Sequence, residues 1–209
     1  NGSCIYCGAK KEIFDRGDGF EQYAYSFIHV DDPEEIFNMK FDVIIGNPPY
    51  HLKSDDRKGG LMKPIYQRFV EQAKKLQPTY LSMIIPSRWF AGGVGLKDFR
   101  KEMLRDKRLK KYVDFRNAKD CFPEISLGGG VGYFLWESDY DGKCTFVNKT
   151  NRNEVSLDRY LDQYEILVRD NIGIKIIDKI HLKSDKFLSS VISKKDPFNI
   201  PTKERGKDE

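Results

Sequence analysis

Asn47-Pro48-Pro49-Tyr50 gathers an amide, two prolines and an aromatic ring into four consecutive residues. The grouping suits one kind of work, the holding of an exocyclic amino group on an aromatic base. Such a nitrogen is a poor nucleophile, because its lone pair is delocalised into the ring. A site that makes it react must accept hydrogen bonds from both N–H groups and so favour a more tetrahedral nitrogen. The Asn47 side-chain oxygen is one acceptor. The Pro48 carbonyl, stiffened by two successive residues of fixed φ, is a second. The Tyr50 ring offers a face on which a base turned out of its duplex can stack. His51 follows and reads either as a general base or as a bystander, since the proton can leave after reaction at nitrogen.

The elements that position this clamp are legible around it. Phe41-Asp42-Val43-Ile44-Ile45 is short, apolar and β-branched, and Gly46 closes it, as in a central strand of a parallel sheet. Loops at the carboxyl ends of such strands are where open α/β sheets bind ligands. Ile65, Phe69, Ala73 and Leu76 form one helical stripe, with Pro78 just past its end. Tyr80 to Ile85 is a second buried strand, and Pro86-Ser87-Arg88-Trp89-Phe90 follows it as the first loop follows the first strand. Leu96, Phe99, Met103 and Leu104 define a further helix. Strands are predicted at Tyr112 to Phe115 and, entered through glycines, at Gly128 to Trp136. Asp141-Gly142 reads as a hairpin turn into Thr145-Phe146-Val147. Upstream, Tyr23 to Val30 reads as a strand ending at Asp31-Asp32-Pro33, and residues 166–180 read as a helix. The alternation predicts a doubly wound, Rossmann-like α/β sheet with an antiparallel edge over residues 1–150, followed by a connector at 151–209.

Bulk properties narrow the partners. The chain of 209 residues has 39% hydrophobic and 33% charged residues, which suits a soluble globular domain. No apolar run approaches a membrane span, and Asn1-Gly2-Ser3-Cys4 is no secretory signal, so a cytoplasmic protein is expected. A net charge of +4 permits nucleic acid as a partner without requiring it. Residues 97–111 hold eight Lys/Arg against three acids, and read equally as a solvated helix face or a phosphate-facing patch. Cys4-Ile5-Tyr6-Cys7 has half the spacing of a zinc ribbon, but no second pair follows; reduced thiols and no metal are expected.

At Asn47-Pro48-Pro49-Tyr50 the chain resembles the N6-adenine DNA methyltransferases that use S-adenosylmethionine. The resemblance runs over roughly residues 23–150, through Lys63-Pro64-Ile65-Tyr66 to Leu76, Met83 to Phe90, and Gly129 to Trp136. These are similar to successive landmarks in the methylase part of bifunctional restriction–modification enzymes. The four-residue motif also occurs in methyltransferases of protein glutamine and of RNA guanine; the later landmarks favour the DNA enzymes. The resemblance implies that Asn47, Pro48, Pro49 and Tyr50 hold and stack a flipped adenine of double-stranded DNA. It implies an acidic cofactor contact at Asp31 or Asp32; apart from the resemblance, Arg88 reads from its loop as a contact to DNA or cofactor or as a packing residue, and Lys101 and Arg105 read from the basic run as candidate DNA contacts. The reactive sulfonium leaves positioning as the main task of the protein.

One departure stands out. The family's glycine-rich cofactor turn belongs after a strand well upstream of the motif, and Arg16-Gly17-Asp18-Gly19-Phe20 has no apolar strand before it. The sheet is therefore expected to be incomplete on its N-terminal, cofactor side. Ser189 to Ser193 and Asp196-Pro197-Phe198 are similar to the passage into a target-recognition domain. The expectation is a piece of a larger enzyme, inactive in isolation. Its alternatives are an amino-methyltransferase of protein glutamine or RNA, and a non-catalytic DNA-binding piece.

Overall fold

The computed structural model describes residues 22–37, 39–51, 63–164 and 166–183. The chain divides into two compact units, Asn1–Asn171 and Ile172–Glu209. Cys4, Cys7, Arg16 to Phe20 and the stretch from Ser189 to Phe198 lie outside the described residues.

The first unit is an α/β sheet of six strands: β1 (Val43–Gly46), β2 (Tyr80–Pro86), β3 (Leu109–Phe115), β4 (Val131–Glu137), β5 (Cys144–Lys149) and β6 (Glu154–Arg159). Their order across the sheet is β1-β2-β4-β3-β5-β6. β1 runs parallel to β2, with Val43 opposite Tyr80 and Gly46 opposite Met83. β4 is antiparallel to both its neighbours, β2 and β3. The sheet unit continues past residue 150, because β6 pairs antiparallel with β5.

Among the described residues three α-helices accompany it: α1 (Gln22–His29), α2 (Tyr66–Lys75) and α3 (Lys97–Arg105). Tyr66, Phe69, Val70 and Ala73 of α2 join Phe99, Met103 and Leu104 of α3 in one cluster with Leu81, Met83 and Ile85 of β2. The period-3.6 stripes thus meet the period-2 face of the strand, and both helices cover the same side of the sheet. A smaller cluster on the other side holds Val113, Phe115, Ala118, Val131 and Val147. Helix α4 (Asn171–His181) opens the second unit, with Ile172, Ile176 and Ile180 exposed at successive four-residue steps. No helix among the described residues is long and apolar enough to cross a membrane.

Two expectations are corrected. The expected strand at Tyr23 to Val30 is instead the helix Gln22–His29, with Val30 just past its end. Its aromatic content suggested a strand, but Gln72 Nε2 donates to the carbonyls of Phe27 (2.8 Å) and Val30 (2.7 Å), supplying partners that a helix end otherwise lacks. Asp31 therefore follows a helix rather than a strand. The turn at Asp141-Gly142 is not a hairpin either, since β3 lies between the strands it connects. The antiparallel hairpin is β5–β6, turned where Thr150 N–H donates to the Asn153 carbonyl at 2.9 Å.

β1 is an edge strand. Its outer side has no partner strand among the described residues, and Val43 and Ile45 are 54% and 78% exposed. A groove of about 490 Å³, lined by Phe27, Phe37, Phe41, Val43, Leu76 and Met83, runs beside it. This is the side on which the sheet is expected to be incomplete.

At the opposite end from the Asn47 loop, Asp106 ties α2, α3, β3 and β4 together. Its carboxylate, 5% exposed, accepts from Lys74 Nζ (2.9 Å), Arg108 Nε (2.8 Å) and Trp136 Nε1 (2.9 Å). Burial by itself would raise its pKa, but the hydrogen bonds of Arg108 and the charge of Lys74 hold it well below the usual carboxylate range. A depressed folded pKa stabilises the protein fully above the unfolded value of about 3.9, and that contribution fades as pH falls below it. Asp106→Ala is expected to cost about 2 kcal/mol at neutral pH, because it leaves Trp136 Nε1 without its acceptor and Lys74 with Glu102 alone. Urea denaturation measures this; the variant should also lose less stability than the parent between about pH 4 and pH 3.

Candidate active site

The Asn47–Tyr50 segment leaves the carboxyl end of β1. Pro48 is buried, while Asn47 and Pro49 are exposed, so the segment is anchored through one proline and presents the amide outward. Among the described residues the Asn47 side chain has no hydrogen-bond partner. The backbone beyond is pinned: Ile65 N–H donates to the Tyr50 carbonyl at 3.1 Å, and His51 bridges antiparallel to Pro64. The two ends of the 51–64 connection are thereby held together.

Tyr50 is half-buried and packs against both apolar clusters. Its hydroxyl is buried without a hydrogen-bond partner among the described residues. Burial, then the neighbouring Cys121 thiol, raises its pKa, so the phenol stays neutral. Cys121 and Phe122 lie half-buried in the same smaller cluster as Tyr50. The ring is thus partly seated on the sheet rather than wholly free for stacking.

Beside this loop, β2 ends in a 3-10 turn over Ser87–Phe90, with Arg88 exposed and Ser87, Trp89 and Phe90 buried. His51 has a lowered pKa, first through burial and then through the positive charge of Arg88. The β1 and β2 loops therefore share an electrostatic neighbourhood, as the parallel register of the two strands requires.

Asp31, Lys101 and Arg105 are not brought to this end. Leu109 and Leu81 both lie opposite Trp136, so β3 starts level with the start of β2. Arg105 closes α3 just before that start, with Lys101 one turn earlier. The Asp31 carbonyl accepts from Lys75 Nζ at 2.9 Å, and Lys75 closes α2 just ahead of the β2 start. All three belong to the far end of the sheet.

Sequence reasoning missed a buried polar group at the near end. Asp114 of β3 is fully buried and paired with Arg169. A lone acid between Val113 and Phe115 was the available signal. Among the described residues no group of three or more His, Cys, Asp or Glu is placed to hold a metal ion. Cys144 is buried, and its thiol is pushed up to about 12, chiefly by burial, which makes it inert.

Residues 2–122, more than half of the sequence, match the Eco57I restriction-modification methylase family. The chain belongs to that family. An uncharacterised adenine-specific methylase of Mycoplasma pneumoniae is 40% identical over 156 residues, covering 70% of this chain. The chain spans 37% of that relative's length. Among solved structures, the methyltransferase subunit of a type I restriction–modification system from Streptococcus thermophilus is similar over 76% of this chain and 35% of its own, at 13% identity and a TM-score of 0.42. The type IIG restriction endonuclease BpuSI is similar over 58% of this chain and 16% of its own, at 17% identity and a TM-score of 0.39. In this member of the Eco57I methylase family the match takes in both strand-end loops and Cys121, and stops before β4 and Arg169.

The His51–Arg88 pairing is open to direct measurement. The His51 imidazole is expected to titrate below about pH 6.5 by NMR and to be neutral at pH 7. Arg88→Gln should raise the midpoint part of the way back, since burial, the larger cause, remains.

Proposed function

We propose that this chain carries the target-amine site of a DNA methyltransferase that modifies adenine N6 within a restriction–modification enzyme. The observation that carries the reading is the exposed, uncommitted Asn47 amide beside buried Pro48, at the carboxyl end of β1. Membership of the methylase family and the net charge of +4 support it.

In this reading the adenine amino group donates one N–H to Asn47 Oδ1 and the other to the Pro48 carbonyl. The nitrogen gains tetrahedral character and its lone pair becomes available. Tyr50, fixed through its carbonyl and its half-buried ring, supports the base by its exposed part. His51, kept neutral, is not needed as an acid, and the surplus proton leaves to water after transfer. Arg88 is the basic residue we assign to a DNA phosphate, because it shares this end of the sheet. Lys101 and Arg105 face solvent on the far end and are not assigned to the target-base pocket.

S-adenosylmethionine is the methyl donor we infer from family membership, and it would supply the electrophilic carbon. Among the described residues no cradle fits it. Asp31, the expected contact, lies at the end of the sheet away from Asn47.

The test is methyl transfer from labelled cofactor by the enzyme that carries this sequence, offered double-stranded DNA, RNA and protein separately. Label is expected in DNA adenine. Asn47→Ala is expected to lower turnover by on the order of 10²-fold or more with an unchanged thermal melt. Label in RNA or protein instead, or undiminished turnover in Asn47→Ala, overturns the reading.

A further inference from the structure

We propose that Arg169 is a positioning residue, which holds the Ser87–Phe90 turn, and with it Arg88, in place at the carboxyl end of the sheet beside the Asn47–His51 loop. The inference rests on the reading of that loop as the target-amine site, although its geometry stands independently.

Asp114 is wholly buried near the end of β3, where an unpaired carboxylate would be costly. Arg169 meets it with a two-pronged guanidinium: Nε donates to Oδ2 at 2.6 Å and Nη2 to Oδ1 at 2.7 Å. The Ser87 hydroxyl donates to the same Oδ1 at 2.9 Å. The third nitrogen of Arg169, Nη1, donates to the Gly129 carbonyl at 2.7 Å. The guanidinium also lies 5.4 Å from the centre of the Phe90 ring. One side chain thus joins the loop after β2, the end of β3 and the turn before β4, just past the point where Pro86 and Phe115 both lie opposite Val131.

Arg88 is seated by this arrangement. Gly129 has φ +93°, and a Cβ there would stand 2.9 Å from Arg88 Cγ, so the arginine stem lies flat on the glycine. Gly130, with φ +79°, accepts the Ser87 N–H at 3.0 Å, which stitches the same two loops a second time. The Arg88 side chain has no hydrogen bond or ion pair among the described residues. Its position is set by its stem and its neighbours, not by its charged head.

The support behind Arg169 is equally specific. Asn148 of β5 donates from Nδ2 to the Arg169 carbonyl at 2.9 Å, and its Oδ1 accepts the Asn171 N–H at 2.9 Å. Arg116 pairs with Asp170 at 3.0 Å. A segment beyond the family match is therefore bolted to the sheet and aimed back at the active end. Lysine could neutralise Asp114 but lacks the fork that reaches the Gly129 carbonyl at the same time.

His51 reports where Arg88 is. Its NMR titration midpoint is measured in the parent chain, Arg88→Gln, Arg169→Gln, Arg169→Lys and Arg88→Gln/Arg169→Gln. Arg169→Gln is expected to raise the midpoint to the Arg88→Gln value, and the double variant to add nothing. Arg169→Lys keeps Asp114 neutralised and so keeps the fold, and is expected to shift the midpoint in the same direction. A folded Arg169→Lys or Arg169→Gln that titrates like the parent, while Arg88→Gln moves the midpoint, overturns the proposal. So does an Arg88→Gln that leaves the midpoint where it was. Methyl transfer enters none of these readings, so loss of the functional proposal and loss of this one are told apart.

Discussion

Gly46 and Met83 face each other across a short parallel ladder, and every functional inference depends on that register. Because β1 and β2 run the same way, the loops that leave them emerge side by side. One carries Asn47 and Tyr50, the other Ser87 and Arg88. A strand shifted by one residue would turn Ile44 from the core to the open face and rotate the Asn47 amide with it. The register is held by apolar burial: Leu81, Met83 and Ile85 are fixed under α2 and α3, and Ile44 packs onto the same cluster.

The two ends of the sheet use polar groups for opposite purposes. At the far end, Asp106 is saturated by Lys74, Arg108 and Trp136, and nothing is left over for a ligand. At the near end, Asp114 is saturated by Arg169 and Ser87, and that saturation fixes the loop that carries Arg88, whose side chain, like that of Asn47 beside it, has no hydrogen-bond partner among the described residues. Rigid, satisfied groups beneath and unsatisfied groups above are what a positioning site requires, since the reaction assigned to it asks for geometry rather than for a strong acid or base. The outer side of β1, with exposed Val43 and Ile45, has no partner strand among the described residues.

Most elements could be read along the chain because their burial follows one simple period. The stripe of Ile65, Phe69, Ala73 and Leu76 became α2, and the apolar run from Tyr80 became β2. Residues 23–30 misled because aromatic residues favour strands locally, while the carbonyl partners that favour a helix came from Gln72, over forty positions away. Asp141-Gly142 marked a true change of direction, yet local turn chemistry says nothing about which strand lies next door. Arg105 and Lys101 read as DNA contacts from their dense basic run alone; only the path of α3, back toward the start of β3, places them at the end of the sheet away from Asn47.

By itself the sequence determined the chemistry of the clamp, since an amide, two locked φ angles and an aromatic ring are covalent facts of residues 47–50. It also determined the α/β class, because hydrophobic period survives without knowledge of partners. Only the tertiary structure decided what stands beside that clamp. The insertion of β4 between β2 and β3, the burial of Asp114 and the return of Arg169 across 55 positions are long-range pairings. Their energies depend on groups that meet only once the sheet has closed, and no local pattern records such meetings.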